Sequence, residues 1–268
     1  MIKKAILLLL TFIFSFSLVA CGNDDKTIKV LATAIPHEEI LIQAIPLLAD
    51  KGYSLEIIVT DDYGIPNSAV ANGSVDANFF QHIPFFNSYN NDPATTKRLV
   101  NVGGIHIEPI AGFSKRITSI GALNNGGNVL ISTSESDHGR VLSILAQEGI
   151  ITLKDGVDTL TARLADIETK PENLTFRQVA PELLTTTYQN ENNIDIAFIN
   201  GNFALSANLP DNQKVVIESP DNNPYVNIIA VLEGNETLPK IQALIEVLTS
   251  QTIKDYITNT YGGSVIPA

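Results

Sequence analysis

Short apolar runs and helical patterns alternate along the chain after residue 26. In chain order they are the strand TIKVL, a helix from Pro36 to about Lys51, the strand LEIIV, a short helix from Pro66 to Asn72 and the strand VDANFF. Apolar residues recur at helical spacing in the first helix and fill the strands. Pro46 falls inside the first helix and predicts a kink or an early end there. The β-α-β-α-β order predicts a mainly parallel sheet covered by helices.

A second series with the same order follows Pro109. Its elements are the strand VLIS, a helix from about Asp137 to Glu148, the strand TFRQVA, a helix from Pro181 to Tyr188 and the strand IDIAFI. The chain then returns through VVIE to the strand VNIIAV and two C-terminal helices, Leu238 to Leu248 and Gln251 to Tyr261. These last elements are too few for a third domain, so we expect them to complete the first one. The sequence therefore predicts an α/β protein of two similar lobes.

Two crossings connect the predicted lobes, near residues 106–114 and near residues 222–231. The first lobe comprises residues 27–108 and 221–268, and the second comprises residues 109–220. In open α/β sheets a ligand binds beyond the carboxyl ends of the strands. When two lobes face each other, these ends border a shared cleft, and we expect the ligand there.

The first twenty residues differ from everything after them. Lys3 and Lys4 precede an apolar run, residues 5–14, and the run closes on the sequence LVAC. This pattern is typical of a secretory signal peptide and is too short for a transmembrane span. LVAC resembles the bacterial lipobox, so we expect residues 1–20 to be removed and Cys21 to be lipidated, with residues 21–26 as a tether. An ordinary leader with a chance cysteine is the alternative. Cys21 is the only cysteine, which excludes disulfides within the chain.

The composition is that of a folded, acidic protein. The 268 residues are 44% hydrophobic and 17% charged, and their formal net charge is -12. Without the two lysines of the leader, 15 basic residues oppose 29 acidic ones. Such a chain repels phosphate backbones, so we expect no nucleic-acid partner.

The stretch FFQHIPFF, residues 79–86, gathers four phenylalanines around Gln81 and His82. A strand followed by a helix that begins at Pro84 places some of these rings in the core and others at the cleft. A wholly buried segment is the alternative, but its two polar side chains would then need partners. An aromatic wall with a few polar groups suits a small organic ligand.

Arg140, in SESDHGRVLSIL, is predicted to lie in the first turn of a helix, where a cation opposes the helix dipole. A ligand carboxylate would relieve this, because it accepts hydrogen bonds from a guanidinium and from free backbone N–H groups. An exposed arginine paired with Asp137 or Glu135 is the alternative. Asn200 and Asn227 lie at the end of a strand and at the second crossing. Each amide can accept a hydrogen bond from an ammonium group or cap a turn.

Catalytic motifs are lacking in the sequence. It has no GxSxG, P-loop, GxGxxG or HExxH motif, and HEEI at His37 lacks the second histidine. An acid–base site of scattered residues stays open, for example a lyase or dehydratase that uses His82 or Glu108. The four histidines, His37, His82, His106 and His138, are predicted in loops at or near the cleft. Three of them, together with a carboxylate such as that of Glu108, would suit zinc. Their wide spacing and aromatic neighbours favour an organic ligand, with His82 and His106 as hydrogen-bonding groups.

Seven parts of the chain resemble the NlpA family of lipoproteins and occur in the family's order. They are the LVAC leader, DDYGIPNSAVANGSVDANFFQHIPF, HIEPIAGFSKR, GRVLSIL with GIITLKDG after it, QVAPELL, AFINGNFA and SPDNNPYVNIIAV. The family consists of substrate-binding proteins of bacterial ABC importers, and most characterised members bind methionine. The resemblance implies a two-lobed, periplasmic-binding-protein-like fold (type II-like) with the ligand in the interlobe cleft.

The resemblance also implies roles for individual residues. In similar proteins the tyrosine of the DDY segment, the FQH stretch and the aromatic residue after its proline line the side-chain pocket. The arginine of the GR segment clamps the ligand carboxylate, and the asparagines of the IN and YVN segments bind the amino-acid backbone. The corresponding residues are Tyr63, Phe80, His82, Phe85, Arg140, Asn200 and Asn227. Phe85 stands where many members have tyrosine, and Thr133 and Asp137 replace part of an asparagine-rich loop.

The predicted protein is a lipid-anchored substrate-binding protein on the extracytoplasmic side of the membrane. It captures L-methionine, a related amino acid or a methionine-containing dipeptide and delivers it to the permease and ATPase subunits of an ABC importer. We expect its ligand site to comprise the seven residues above and His106. We expect no cofactor, no metal and no catalysis. A metal-binding receptor and an enzyme on the same fold are the alternatives.

Overall fold

The computed structural model describes residues 26–268, so the predicted signal peptide and Cys21 lie outside the described residues. The strands are β1 (Thr27–Ala32), β2 (Ser54–Val59), β3 (Ala77–His82), β4 (Leu99–Ile107), β5 (Ala111–Phe113), β6 (Gly127–Ser132), β7 (Thr152–Leu153), β8 (Ile167–Thr169), β9 (Leu174–Val179), β10 (Ile196–Ile199), β11 (Lys214–Ile217), β12 (Val226–Leu232) and β13 (Ile266–Pro267). The helices are α1 (Glu39–Asp50), α2 (Pro66–Asn72), α3 (Ile83–Asn91), α4 (Glu135–Gln147), α5 (Leu184–Asn190), α6 (Gly201–Ser206), α7 (Pro239–Leu248) and α8 (Gln251–Tyr261). None of these helices has the length and apolar content that a bilayer-spanning segment requires.

The first sheet has six strands, in the order β13-β4-β12-β3-β1-β2. The strands β2, β1 and β3 are parallel, as the sequence predicts. The strand β12 runs antiparallel to both of its neighbours, with Asn227 opposite His82 of β3 and His106 of β4. The sheet is therefore mixed rather than mainly parallel. The reason is that β4 leads towards the second sheet and β12 returns from it, without the helical connection that parallel neighbours need.

The second sheet has five strands, in the order β11-β5-β10-β6-β9. The strands β10, β6 and β9 are parallel, whereas β5 is antiparallel to β10 and β11. The chain passes between the two sheets at residues 108–110 and 218–225, which are the two crossings. The predicted boundaries of the lobes, residues 27–108 with 221–268 and residues 109–220, stay a prediction.

Helix α1 covers the first sheet with four fully buried residues, Ile40, Leu41, Ala44 and Leu48. It begins at Glu39, later than predicted, and continues through Pro46 to Asp50 instead of ending early. An interior proline costs about 3 kcal/mol, whereas burial of one large aliphatic side chain contributes about 1.5–3 kcal/mol. Burial of the apolar face therefore outweighs the cost of the proline.

Helix α4, which carries Arg140, packs closely against the chain that follows β7. The sequence predicts Arg140 in the first turn of this helix, and that prediction is wrong. The helix begins at Glu135, two residues earlier than expected, so Arg140 lies in its second turn. A β-carbon at Gly139 would lie 2.3 Å from the carbonyl oxygen of Thr159 and 2.8 Å from that of Leu160. Real β-carbons do not approach backbone oxygens so closely, so glycine is required for this contact.

We expect the substitution Gly139→Ala to destabilise the protein. Alanine normally stabilises a helix by about 1 kcal/mol relative to glycine, but overpacking against backbone atoms costs about 1–3 kcal/mol. The midpoint of urea unfolding should therefore fall. Gly121→Ala is the matched control, because its β-carbon would meet only Ser119 Oγ at 3.6 Å. A Gly139→Ala protein as stable as the wild type would contradict the close approach.

Candidate functional site

A small cavity is bordered by residues from the ends of both sheets and from the crossings. Seven of the eight predicted ligand-binding residues line it, namely Tyr63, Phe80, His82, Phe85, Arg140, Asn200 and Asn227. His106 is fully buried behind this wall and does not line the cavity. Five further residues complete the lining, namely His37, Gln81, Glu108, Gly201 and Asn202. Gly201 and Asn202 gave no signal of their own in the sequence.

Aromatic rings form one end of the cavity. Phe80 and Phe85 lie edge to face with their ring centroids 5.5 Å apart, and Tyr63 contacts them at 5.6 and 6.0 Å. Phe203 stacks on the outer face of this group, 5.2 Å from the Tyr63 ring. The Tyr63 hydroxyl donates to Asn202 Oδ1 over 2.8 Å. The tyrosine thus joins the loop after β2 to helix α6.

The remainder of FFQHIPFF supports this wall from behind. Phe79 belongs to the core of the first sheet, and Phe86 packs in a smaller apolar cluster, so the structure divides the four rings as predicted. Gln81 exchanges two hydrogen bonds with Asn67, of 2.7 and 3.0 Å, and donates a third to Asn78 over 2.9 Å. All three amides are buried. The sequence did not reveal this network, because its members come from a helix and a strand.

His82 connects the aromatic end to helix α4 through Asp137. The His82 Nδ1 atom accepts from the Phe85 backbone N–H over 3.2 Å, so Nε2 carries the proton and donates to Asp137 Oδ1 over 3.0 Å. Asn200 donates to the other carboxylate oxygen over 3.1 Å. Burial alone would raise the pKa of Asp137, but the hydrogen bond from His82 and the nearby Arg140 hold it below its usual value. Asp137 is therefore ionised, and each of its carboxylate oxygens accepts a hydrogen bond.

Arg140 forms the polar end of the cavity. It is buried, which contradicts the alternative of an exposed arginine, and its partner is Glu218 at the second crossing. Both Nε and Nη2 donate to the Glu218 carboxylate, and Nη2 also donates to the Glu108 carbonyl oxygen over 2.9 Å. Glu218 accepts in turn from the Ile110 backbone N–H over 3.2 Å. Arg140 and Glu218 thus tie both crossings to helix α4, a role that the sequence did not indicate.

Two buried histidines surround Glu108 at the first crossing. His106 Nε2 lies 2.7 Å from Glu108 Oε1, and His37 Nε2 lies 3.4 Å from the same atom. Burial lowers the pKa of His37 to about 4, so its contact with Glu108 is that of a neutral imidazole. His37 is held by Thr33 Oγ1 at 2.7 Å and Asn227 Oδ1 at 3.2 Å. Burial alone would raise the pKa of Glu108, but its two histidines hold it below its usual value.

The same three groups are the candidate metal ligands of residues 26–268. The ligand atoms of His37, His106 and Glu108 lie within 4.8 Å of one another. His82 and His138 do not join them, because His82 bonds to Asp137 and His138 to a backbone carbonyl, so a site of three histidines is not formed. Among residues 26–268, the His106 Nδ1 atom has no hydrogen-bond partner, whereas the second ring nitrogen of a metal-bound histidine usually has one.

The lowered pKa of His37 predicts a pH-dependent stability. Between its ordinary pKa of 6.5 and about 4, the unfolded chain binds a proton that the folded protein does not. Stability is therefore lost as the pH falls through this range, by about 2 kcal/mol between pH 7 and pH 5. We expect His37→Gln to remove this part of the difference between urea unfolding curves at the two pH values. An unchanged difference in the variant would show that His37 is not the group responsible.

Comparisons with known proteins point to one protein family. Residues 28–268 match the NlpA lipoprotein family. The methionine-binding lipoprotein MetQ of Bacillus subtilis is 43% identical over 272 residues, which cover 99% of this chain and 98% of that protein. A crystal structure of a Bacillus subtilis lipoprotein superposes with a TM-score of 0.86 and 44% identity, covering 91% of this chain and 98% of the other.

A structure of an ABC transporter periplasmic substrate-binding protein from Coxiella burnetii is also similar. It has a TM-score of 0.81 and 30% identity, and the match covers 90% of this chain and 100% of that one. These likenesses confirm the predicted two-lobed α/β fold of substrate-binding lipoproteins. Because the family match extends over nearly all of the sequence, this chain belongs to the NlpA lipoprotein family.

Proposed function

We propose that this protein is the lipid-anchored substrate-binding component of an ABC importer and that it captures an L-amino acid, methionine before all others. The observation that carries the proposal is the cavity, which has an aromatic end and a polar end and is closed by residues from both sheets. The two relatives described above that are named for a function are binding proteins, one for methionine and one of an ABC transporter. We extend these functions to this chain and expect no catalytic step.

The aromatic end suits a thioether side chain. Tyr63, Phe80 and Phe85 present ring edges and faces within 6.0 Å of one another. A methionine sulfur makes favourable contacts with aromatic rings at about 5 Å, and its unbranched side chain adapts to irregular space.

The polar end suits a ligand carboxylate, but fewer donor atoms of Arg140 are available to it than the sequence implied. The Nε and Nη2 atoms of Arg140 are engaged with Glu218 and the Glu108 carbonyl. Nη1 makes no hydrogen bond within the described part of the chain, and its nearest anion is Asp137 at 3.9 Å. Asp137 is already bonded to His82 and Asn200. The ligand carboxylate would therefore accept hydrogen bonds from the Nη1 side of the guanidinium only.

Cys21 and the crossings supply the remaining parts of the proposal. A lipidated Cys21 would hold the domain at the membrane, where the permease and the ATPase subunits act. Hinge motion at residues 108–110 and 218–225 would open and close the cavity. The contacts that close it, between His82 and Asp137 and between Tyr63 and Asn202, join residues of the two predicted lobes.

A metal-binding receptor is the second candidate, and the cluster of His37, His106 and Glu108 favours it. Binding of zinc there would have to displace the hydrogen bond of 2.7 Å between His106 and Glu108. A lyase or dehydratase is less well supported, because His82 is bonded on both ring nitrogens and the relatives are binding proteins.

The first test is a thermal-shift screen of the full chain in detergent, unfolded and refolded to remove carried ligand. The compounds are the twenty L-amino acids, D-methionine, methionine dipeptides and zinc. A ligand at a thousandfold excess over its dissociation constant stabilises by about 4 kcal/mol. We expect L-methionine to give the largest shift. If only zinc shifts the curve, and a chelator reverses the shift, the amino-acid proposal is wrong.

The second test compares Arg140→Ala and Arg140→Lys with the wild type by calorimetric titration of L-methionine. Loss of a hydrogen bond to a charged group costs about 1.5–3 kcal/mol, so we expect Arg140→Ala to weaken binding by roughly 10- to 100-fold. Arg140→Lys keeps a charge near Glu218, which guards against misfolding, and should weaken binding less. Arg163→Ala removes an exposed arginine and is the control. Equal affinity in wild type and folded Arg140→Ala would contradict the carboxylate role.

A further inference from the structure

Tyr225 ends the second crossing and directly precedes β12. It is only 3% exposed and does not line the cavity, so a ligand held there does not touch it. Its ring nevertheless contacts two residues that do line the cavity, Arg140 of helix α4 and His82 at the end of β3. A side chain in this place acts on a ligand only through these two neighbours.

The ring of Tyr225 lies against one face of the Arg140 guanidinium. The central carbon of the guanidinium, Cζ, is 4.3 Å from the ring centroid. A guanidinium is attracted to an aromatic face, and the attraction is stronger when both groups are removed from water. Glu218, at the other end of the same crossing, accepts from Nε and Nη2, which form one edge of the guanidinium. The group is thus held along one edge by an ion pair and on one face by an aromatic ring.

These two contacts restrict different movements of the guanidinium. Hydrogen bonds along one edge fix its position in its own plane, but they oppose a tilt about that edge only weakly. The ring of Tyr225 against the face opposes this tilt. Nη1 does not belong to the bonded edge, so a tilt displaces it most. The ring therefore determines the direction in which Nη1 points.

The same ring completes a cluster that joins the two halves of the molecule. The imidazole of His82 lies at 89° to the ring, with the two centroids 5.0 Å apart. His82 donates to Asp137, which lies one helical turn before Arg140 and 3.9 Å from its Nη1 atom. The side chains of Tyr225, Arg140, Asp137 and His82 thus form a closed circuit of contacts. Movement of His82 away from Asp137 would remove one support of the Tyr225 ring.

The hydroxyl of Tyr225 takes no part in these contacts. It is buried and has no hydrogen-bond partner within residues 26–268. The backbone N–H of Tyr225 donates to Asn223 Oδ1 over 2.8 Å, so the backbone at this position is held independently of the side chain. Phenylalanine would keep the ring against Arg140 and His82, whereas leucine would remove it. The two substitutions therefore separate the effect of the ring from that of the hydroxyl.

We propose that Tyr225 is a positioning residue for the carboxylate site, whose ring fixes the plane of the Arg140 guanidinium so that Nη1 faces the ligand carboxylate. The inference rests on the proposed function and deepens it, because it names a residue outside the cavity on which affinity for a carboxylate depends. The effect of Tyr225 is specific to ligands that carry a carboxylate, and it requires the planar guanidinium of Arg140.

The test compares L-methionine with L-methioninamide, in which a neutral amide replaces the carboxylate, by calorimetric titration of the full chain in detergent. Tyr225→Leu should weaken methionine binding by about 10-fold, which is the size of a buried cation–π contact. It should weaken methioninamide binding by less than about 3-fold, so the ratio of the two affinities falls. Tyr225→Phe keeps the ring and should keep the wild-type ratio. Loss of the ratio in Tyr225→Phe would assign the effect to the hydroxyl and overturn the proposal.

A second comparison places Tyr225→Leu in the Arg140→Lys background. An ammonium group has no plane to orient, so Tyr225→Leu should weaken methionine binding there by less than about 2-fold. An effect as large as in the wild-type background would show that the ring does not act through the guanidinium, and the proposal would be wrong. This comparison uses methionine alone, so it holds even where methioninamide binds too weakly to titrate.

Tyr256→Leu is the matched control, because it removes a tyrosine ring that packs against the core of the first sheet and does not line the cavity. Urea unfolding of each variant reports its stability, and the control should keep the wild-type ratio of affinities. If Tyr225→Leu weakens both ligands alike, Tyr225 serves packing only and the proposal fails, although methionine binding stands. Tyr225→Met repeats the comparison without an aromatic face if the leucine variant does not fold. If the wild type binds neither ligand, the proposed function itself is wrong.

Discussion

The buried charge of Arg140 is the constraint on which the region between the two sheets depends. A guanidinium that is removed from water must be paired and hydrogen-bonded, or the fold loses several kcal/mol. Its partners are Glu218 at the second crossing and the Glu108 carbonyl at the first. One helix of the second sheet thereby fixes both chain segments that run between the sheets. The polar end of the cavity and the path of the crossings are thus set by the same ion pair.

Three acidic side chains lie close to this pair, and each has a partner that offsets its negative charge. Glu108, Asp137 and Glu218 are all buried or nearly buried, and each is held by a histidine or by Arg140. Lowered pKa values of Glu108 and Asp137 follow from these partners despite burial. Such groups are rigid because every change of position would break a charged hydrogen bond. The cavity wall is therefore preorganised.

The departures from the family pattern become understandable in this arrangement. Asp137 replaces a residue of an asparagine-rich loop, and its carboxylate accepts from His82 on one side and Asn200 on the other. Both of its carboxylate oxygens accept hydrogen bonds from the protein, so it does not face a ligand as a free anion. Phe85 lacks the hydroxyl found in many members, and the hydroxyl of the neighbouring Tyr63 bonds to Asn202 across the cavity. Asp137 and Tyr63 thus both take part in hydrogen bonds between the two halves.

The sequence by itself determined the elements and the order of the two α/β series, because apolar periodicity acts over a few residues. It also predicted seven of the residues that now line the cavity and the division of FFQHIPFF between core and wall. Tertiary structure decided the antiparallel places of β4 and β12, the pairing of Arg140 with Glu218, and the convergence of His37, His106 and Glu108. It alone left Asn200 Oδ1 without a donor in the described part of the chain. These features arise between residues far apart in the chain, where burial and charge pairing, rather than local pattern, select the partner.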